Sequence, residues 1–385
     1  MMQTLKKYPL VFLFAAFLLI VSAANLLTPD REKSELENRP LAQRPKLTAT
    51  ALLAKDQENK YTQRFETYLN DQFVGRDGWI TLKSVSESAL GKIENNGIVY
   101  GSDHYLFDRY GTVDERRFSM NIELLGTYLA SYRDTAPITV AVIPNSYEIL
   151  ADKLPKGLQN VGQAARVAEI YGALPGGADT LDLFPVMRLA ASERQAYYRT
   201  DHHWTTWGAY NAYRAFVESR GLKAVEFSTL EPLRREAPGF YGTYFSKCKL
   251  FSAVPDTIEW YDIPVSSVTV GGEEKPGLYD AEKWGERDKH AAFLWGNSDL
   301  TVVKSENNLN HQEGRTSRVL LIKDSYGNPF APFLTYSYDE VWMVDLRNLT
   351  APMSEVMARA EFDDVLVMYN FENFAQDSNF TFLNR

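Results

Sequence analysis

The chain has 385 residues, 45% of them hydrophobic and 24% charged, with a formal net charge of −9. This is ordinary globular material, long enough for one large domain or two modest ones, and it excludes wholesale disorder. The acidic surplus argues against nucleic-acid binding, which needs a basic footprint to replace the counterions of phosphates. A single cysteine, Cys248, rules out an intramolecular disulfide framework and a cysteine-based metal cluster. The 22 tyrosines, 21 phenylalanines and 7 tryptophans suit stacking on sugar rings or a large aromatic core, and the core is the simpler use.

Along the chain, Lys6-Lys7 precede an almost uninterrupted apolar run from Tyr8 to Leu27, close to the roughly 20 residues a helix needs to cross a bilayer. Lysines before the span place the body on the outer side. Val21-Ser22-Ala23 is similar to a cleavage site, so residues 1–28 are a signal anchor or a signal peptide, and the length of the run favours retention. Residues 29–48, with the polar stretch Ser34 to Pro40, predict an extended linker or tether. Helical spacing follows at Tyr61 to Phe73, where Tyr61, Phe65, Tyr68, Leu69 and Phe73 share a face, and at Trp79 to Leu90. Asn95-Asn96-Gly97 before Ile98-Val99-Tyr100 and Tyr105-Leu106-Phe107 predicts a small hairpin.

Four short runs of largely β-branched residues come next: Ile138 to Ile143, Val319 to Ile322, Val341 to Val344 and Val365 to Met368. Helical patterns neighbour them, for example at Met120 to Tyr132 and Thr206 to Arg220. Strands alternating with helices predict an α/β domain over 49–385 with a mostly parallel sheet buried on both faces. Residues 226–296 have weaker periodicity and the pair Gly271-Gly272, and are expected to form an excursion from the sheet. Active sites of such sheets lie at the carboxyl ends of the strands.

Two segments carry chemistry. In Tyr198 to Gly208, two of only five histidines sit side by side directly after Asp201. An acid and an imidazole two residues apart can orient each other for general-base work. In Arg318 to Pro329, an apolar strand ends in Asp324-Ser325, then turns towards a helix near Phe330. That arrangement presents a serine beside helix amides able to stabilise an oxyanion, although Asp324 or Ser325 could equally cap the helix. Serine is a weak nucleophile, needing an imidazole to take its proton and an acid to fix the imidazole's tautomer. Ser325, His203 and Asp201 supply the three roles, with a covalent acyl-serine as the consequence.

Adjacent residues point in different directions, so the Asp-x-His spacing assigns His203 as the base and leaves His202 structural. A metal reading of Asp201-His202-His203 would need the additional aspartates of the DHH phosphoesterases, and His104, His290 and His311 lie in unremarkable polar contexts, so neither metal nor cofactor is expected. Trp204 and Trp207 read as packing at a helix start rather than a sugar platform. Asn145-Ser146-Tyr147 follows the first strand and either lines the pocket or forms a loop.

Tyr197 to Tyr213 resembles the signature of the bacterial DHHW family, and Lys323-Asp324-Ser325-Tyr326 resembles its serine block; both are similar to the alginate O-acetyltransferases of the AlgX and AlgJ type. Further similar blocks are Asn38-Arg39-Pro40, the Phe65-Glu66 to Arg76 helix with Asp71, Phe240-Tyr241-Gly242-Thr243, Asp256-Thr257-Ile258-Glu259, Phe293 to Asn297 and Val344-Asp345-Leu346-Arg347. The resemblance covers nearly the whole chain after the anchor. It implies an SGNH hydrolase-like, doubly wound sheet with helices on both faces and a permuted motif order, acid and histidine before serine. It implies the same triad, Asp201, His203 and Ser325. As oxyanion or substrate-binding candidates it offers the Ser325 amide, Asn297, Arg347 and Tyr326. Lys323 stands where related serine blocks often carry glycine, which bears on the turn.

The activity implied is extracytoplasmic O-acetyl transfer to hydroxyls of a cell-surface or secreted polysaccharide, with a membrane-bound O-acyltransferase as the acetyl supplier. A carbohydrate acetylesterase with the same triad and a non-catalytic glycan-binding component of an export complex are the alternatives.

Overall fold

In the computed structural model, residues 8–385 are described apart from 38, 55, 57, 58 and 177. Lys6-Lys7 and Asn38 of the Asn38-Arg39-Pro40 block therefore lie outside the described residues. The chain folds as two units, Met1–Lys92 with Cys248–Phe251, and Ile93–Lys247 with Ser252–Arg385.

In the first unit, Pro9–Leu27 is a helix with its proline in the first turn, where a missing N–H costs nothing. None of its side chains is buried, and it is long and apolar enough to cross a membrane. The segment expected to be a loose linker is instead tied down. Arg39 forks onto Asp71 at 2.6 and 2.9 Å, Arg76 and Lys249 both reach Glu37 at 2.9 and 2.6 Å, and the Ala42 amide donates to Asp71 at 2.8 Å. Asp71 and Glu37 are largely shielded from water, and a shielded carboxylate requires such partners. Burial pulls Glu37 up, but Arg76 and Lys249 overcome it and hold the carboxyl below its usual range. The helices Tyr61–Gln72 and Arg76–Ala89 thus group with residues 29–48, and the unit boundary falls after Lys92 rather than at 48. The expected packing face of the first helix is only half-buried at Tyr61, Phe65 and Tyr68, and Leu69 is exposed.

The second unit is built on an eight-stranded sheet: β1 (Ile138–Ile143), β2 (Asp179–Leu181), β3 (Ser267–Val270), β4 (Glu273–Lys275), β5 (Leu300–Lys304), β6 (Arg318–Lys323), β7 (Glu340–Asp345) and β8 (Asp364–Asn370). The spatial order is β4-β3-β5-β7-β6-β8-β1-β2. The five strands from β7 to β2 run parallel, and β5, β3 and β4 extend one edge antiparallel. The excursion expected over 226–296 is therefore narrower than that. Residues 267–275 return to the sheet, while a separate antiparallel pair, Arg234–Phe240 with Asp256–Tyr261, lies off it. Residues 94–108 form a three-stranded meander rather than a two-stranded hairpin.

Strand residues alternate between two cores, as two-sided burial requires. Val319, Leu321, Val341, Met343, Leu366 and Met368 enter one; Leu320, Ile322, Val344, Val365 and Val367 enter the other. The covering helices are α1 (Glu115–Tyr132), α2 (Gln163–Ala173), α3 (Phe184–Glu193), α4 (Thr206–Ser219), α5 (Gly327–Leu334), α6 (Met353–Ala358) and α7 (Phe371–Gln376). α4 and α5 pack on the first face, and α1, α2, α6 and α7 on the second. This is a mixed α/β fold with a large, mostly parallel sheet whose central strand, β6, delivers the serine block.

Candidate active site

The serine block is shaped by its own aspartate. Beyond Lys323 at the end of β6, Asp324 accepts from the Tyr326 amide at 2.9 Å on one oxygen, and from the Asn370 amide at 2.8 Å and Asn373 Nδ2 at 2.7 Å on the other. This Asx turn bends the chain into α5 and ties it to the end of β8. Burial pushes the Asp324 carboxyl above its usual range despite these three donors. Ser325 is then left half-buried, with its hydroxyl directed to an imidazole instead of the helix amides. Lys323 does not disturb the turn: it completes β6, and its stem runs over Gly327, where an added Cβ would meet Lys323 Cδ at 2.5 Å.

The histidine loop is assembled from distant segments. Asp256, on the off-sheet pair, accepts from the Arg199 and Thr200 amides, the Thr200 hydroxyl and Gln195 Nε2, all within 3.0 Å, and so fixes the approach to Asp201. Gly242 packs against Asp201 so closely that a Cβ there would lie 2.2 Å from the Asp201 side chain. The Thr243 amide donates to Asp201 Oδ2 at 2.7 Å. Trp204 is buried, and its indole N–H donates to the Tyr326 carbonyl at 2.9 Å, joining the histidine loop to the serine turn.

The two halves meet in one relay. Asp201 Oδ1 lies 2.6 Å from His203 Nδ1, and His203 Nε2 lies 2.8 Å from Ser325 Oγ. Burial raises the Asp201 carboxyl, but the imidazoles of His202 and His203 outweigh it and hold it well below the usual carboxylate range. A buried, ionised acid fixes the His203 proton on Nδ1 and leaves Nε2 to accept from serine.

Residues 94–344, which span both motifs, match the family model of the DHHW proteins. The chain belongs to the DHHW family. Among solved structures, a DHHW family protein from Eubacterium siraeum matches with a TM-score of 0.64 at 21% identity, covering 75% of this chain and 96% of that one. Bacillus cereus PatB1, solved with a sulfonyl adduct, matches with a TM-score of 0.60 at 18% identity, covering 75% and 98%. The O-acetyltransferase domain of Pseudomonas putida AlgJ is a looser match, with a TM-score of 0.43 at 14% identity over 73% and 93%. No curated protein sequence matches significantly.

In this DHHW protein the remaining candidates separate. Tyr326 is fully buried, its hydroxyl donates to the His202 carbonyl, and its amide serves Asp324, so its side chain supports the loop and does not face a substrate. Arg347 is held bidentately by the buried Asp345 at 2.8 and 2.5 Å, which takes up much of its fork. Asn297 is exposed and oriented by its neighbours. Lys323 Nζ donates to Asn328 Oδ1 at 2.6 Å, so Asn328 Nδ2 must face Asn297 Oδ1, at 3.2 Å, and Asn297 keeps its own Nδ2 as a donor. Burial drives the Lys323 ammonium down to about 8.

Asn145 is buried and donates to Asn370 Oδ1 at 3.2 Å, linking the ends of β1 and β8. Trp207 donates to the Ala190 carbonyl at 3.0 Å and packs between α3 and α4. His202 is half-buried; burial and then the adjacent His203 bring it down to about 3, so its ring is neutral. Donor atoms of Asp201, His202 and His203 lie within 4.8 Å of one another. Both ring nitrogens of His203 are committed, however, so a cation held by all three would have to break the relay.

One neighbour of His203 escapes sequence reasoning. His290, read as a polar-context residue, stacks on His203 with centroids 3.7 Å apart and planes 9° from parallel. Its only signal is that it lies three residues before the Phe293 to Asn297 block.

Proposed function

We propose that this DHHW protein is an extracytoplasmic, serine-dependent O-acetyltransferase acting on hydroxyls of a cell-surface or secreted polysaccharide. The observation that carries the proposal is the continuous Asp201–His203–Ser325 relay at 2.6 and 2.8 Å. In the first half-reaction His203 Nε2 takes the Ser325 proton as Oγ bonds to the acyl carbon and the carbonyl pair moves onto oxygen. The Ser325 amide, which has no intramolecular acceptor among the described residues, and the outward Nδ2 of Asn297 are the oxyanion donors in this scheme. Collapse of that species returns the proton to the departing oxygen and leaves acetyl-serine. A sugar hydroxyl then attacks, giving its proton to His203, which passes it back to Ser325 Oγ as the ester transfers.

The apolar helix Pro9–Leu27 supports an anchored location outside the cytoplasm, where acetyl-CoA is not at hand. The sequence resemblance to the AlgX and AlgJ type supports a polysaccharide acceptor and a membrane-bound O-acyltransferase as supplier. An anchor raises the effective concentration of enzyme for a membrane partner.

The test is acceptor choice. Full-length protein given an activated acetyl ester and oligosaccharide should show acetyl on Ser325 by mass spectrometry and then acetylated sugar. Release of acetate alone, with acetyl-serine formed, would make the protein an esterase. Polysaccharide acetylation unchanged by Ser325→Ala in cells would remove it from catalysis altogether.

A further inference from the structure

Three of the five histidines gather at the site. His203 is flanked by His290, stacked flat at 3.7 Å, and by His202, at 3.9 Å with the planes 35° apart. His290 is only 6% exposed, and its Nε2 has no hydrogen-bond partner among the described residues. Burying a polar nitrogen without a partner is unfavourable, so this placement must be imposed by what surrounds it.

The surroundings do impose it. His290 sits in the tight turn Lys289–Ala292, which is pinned where Lys289 Nζ donates to the Trp284 carbonyl at 2.6 Å. Phe293 follows, wedged edge-on against Trp284 at 5.4 Å and Tyr279 at 5.7 Å. Leu294 and Trp295 then both adopt left-handed backbone, with φ of 53° and 62°, before Gly296 at 87°. Two consecutive non-glycine residues in that region are rare and persist only where packing over-determines them. The segment is thus held in an unfavourable conformation that keeps His290 on His203 and Asn297 beside Asn328.

We propose that His290 is a positioning residue for the general base: its imidazole face keeps the His203 ring in the plane shared by Asp201 and Ser325 and spreads the positive charge that His203 carries during acyl transfer. This inference rests on the triad reading. Between uptake of the Ser325 proton and its delivery to the leaving oxygen, His203 is a cation in a site largely closed to water. A neutral ring stacked on it supplies π electron density where solvent cannot, and blocks rotation away from the serine.

His203 stacks directly on His290, and Asp201, His202 and Lys323 are the other charged or titratable groups close enough to act on it electrostatically. Burial, then His203, hold His290 well below the usual histidine range against the pull of Asp201, so it stays neutral while His203 cycles. His202 is neutral as well, which leaves His203 as the member of the stack that takes the proton.

The experiment measures acylation of the full-length, detergent-solubilised protein by 4-nitrophenyl acetate across the histidine titration range, comparing His290→Leu and His290→Phe with Ser325→Ala. His290→Leu should slow acylation about tenfold and move the acid limb down by about one pH unit, since the imidazolium loses its π neighbour. His290→Phe keeps a ring face and should stay within about threefold with the limb unmoved. Unchanged rates in His290→Leu, a slower rate with an unmoved limb, or equal losses in Leu and Phe would each overturn the proposal. Should His290→Leu fail to fold, NMR titration of the wild-type histidines decides instead: His290 must not take up a proton through the neutral range. Acylation that survives Ser325→Ala would refute the triad reading itself, whereas its loss beside an unaffected His290→Leu refutes only the role of His290.

Discussion

Adding one methyl group at residue 242 isolates the seat of Asp201, the orienting acid of the proposed triad. Gly242 has no Cβ, and one placed there would lie 2.2 Å from both Cβ and Oδ2 of Asp201 and 2.5 Å from its Cγ. Real Cβ contacts are essentially never shorter than 3.0 Å, so Gly242→Ala must drive the Asp201 side chain or its loop away by about 1 Å. Asp201 has little freedom to comply. Its Oδ1 is committed to His203 at 2.6 Å and its Oδ2 to the Thr243 amide at 2.7 Å, one residue from the new methyl. A misplacement of about 1 Å in a catalytic constellation costs roughly 10²-fold, and complete loss of the orienting acid costs roughly 10⁴-fold in a serine triad. Gly242→Ala should therefore lower acylation by between about 10² and 10⁴, equivalent to about 3 to 5 kcal/mol of barrier. Overpacking should cost about 1 to 3 kcal/mol of stability, which a fold of this size survives. The assay is pre-steady-state release of 4-nitrophenolate, run beside a thermal melt to confirm folding. A folded variant acylating within threefold of wild type would show that Asp201 does not orient His203.

Other perturbations reach different parts of the molecule. Burial, then the Asp108 carboxylate, push Glu372 up to about 8 against the pull of Lys247. A folded pKa above the unfolded value means its contribution is complete below the unfolded pKa, near 4.3, and is lost as pH rises through the folded one. Glu372→Gln should raise the unfolding free energy at pH 8, by about 5 kcal/mol at most, and change it little in acid; equal gains at both in chemical denaturation would refute this. Trp204→Phe leaves the buried Tyr326 carbonyl without its donor and should cost about 1 to 3 kcal/mol in chemical denaturation, together with slower acylation as the serine turn loosens. Asp71→Asn weakens the Arg39 fork and should speed hydrogen exchange through residues 29–48, while leaving acylation by a small ester unchanged; uniform protection there would show that the pair does not hold the segment. A sulfonyl fluoride should label Ser325 and fail on His203→Ala, as seen by peptide mapping, because the hydroxyl needs its base.

Local pattern made much of the second unit legible. The runs at Ile138, Val319, Val341 and Val365 fall within β1, β6, β7 and β8, because a strand buried on both faces must be apolar throughout its length. Thr206 to Arg220 and Met120 to Tyr132 fall within or close to α4 and α1 for the complementary reason, one apolar face repeating with the helical period. The short edge strand β2, the inner antiparallel strand β5 and the helices α2 and α3 carry weaker periodicity, which leaves them illegible in the sequence. The ion-paired segment 29–48 reads as a solvated tether because polar residues look solvated until their partners are known. Arg39 and Asp71 are 32 positions apart, and nothing local couples them.

By itself, the sequence determined which residues have the chemical means to act: an acid and an imidazole two apart, and a serine where an apolar strand must turn. Those are properties of residue type and short spacing, which survive without a fold. Only the tertiary structure decided what stands around them. It removed Tyr326 from the substrate side by burying it, set Asn297 outward through Lys323 and Asn328, and made Gly242 the seat of Asp201. It also brought His290, 87 residues after His203, onto the face of the His203 ring. Such contacts arise where segments remote in sequence converge at the ends of parallel strands, and no periodicity records that convergence.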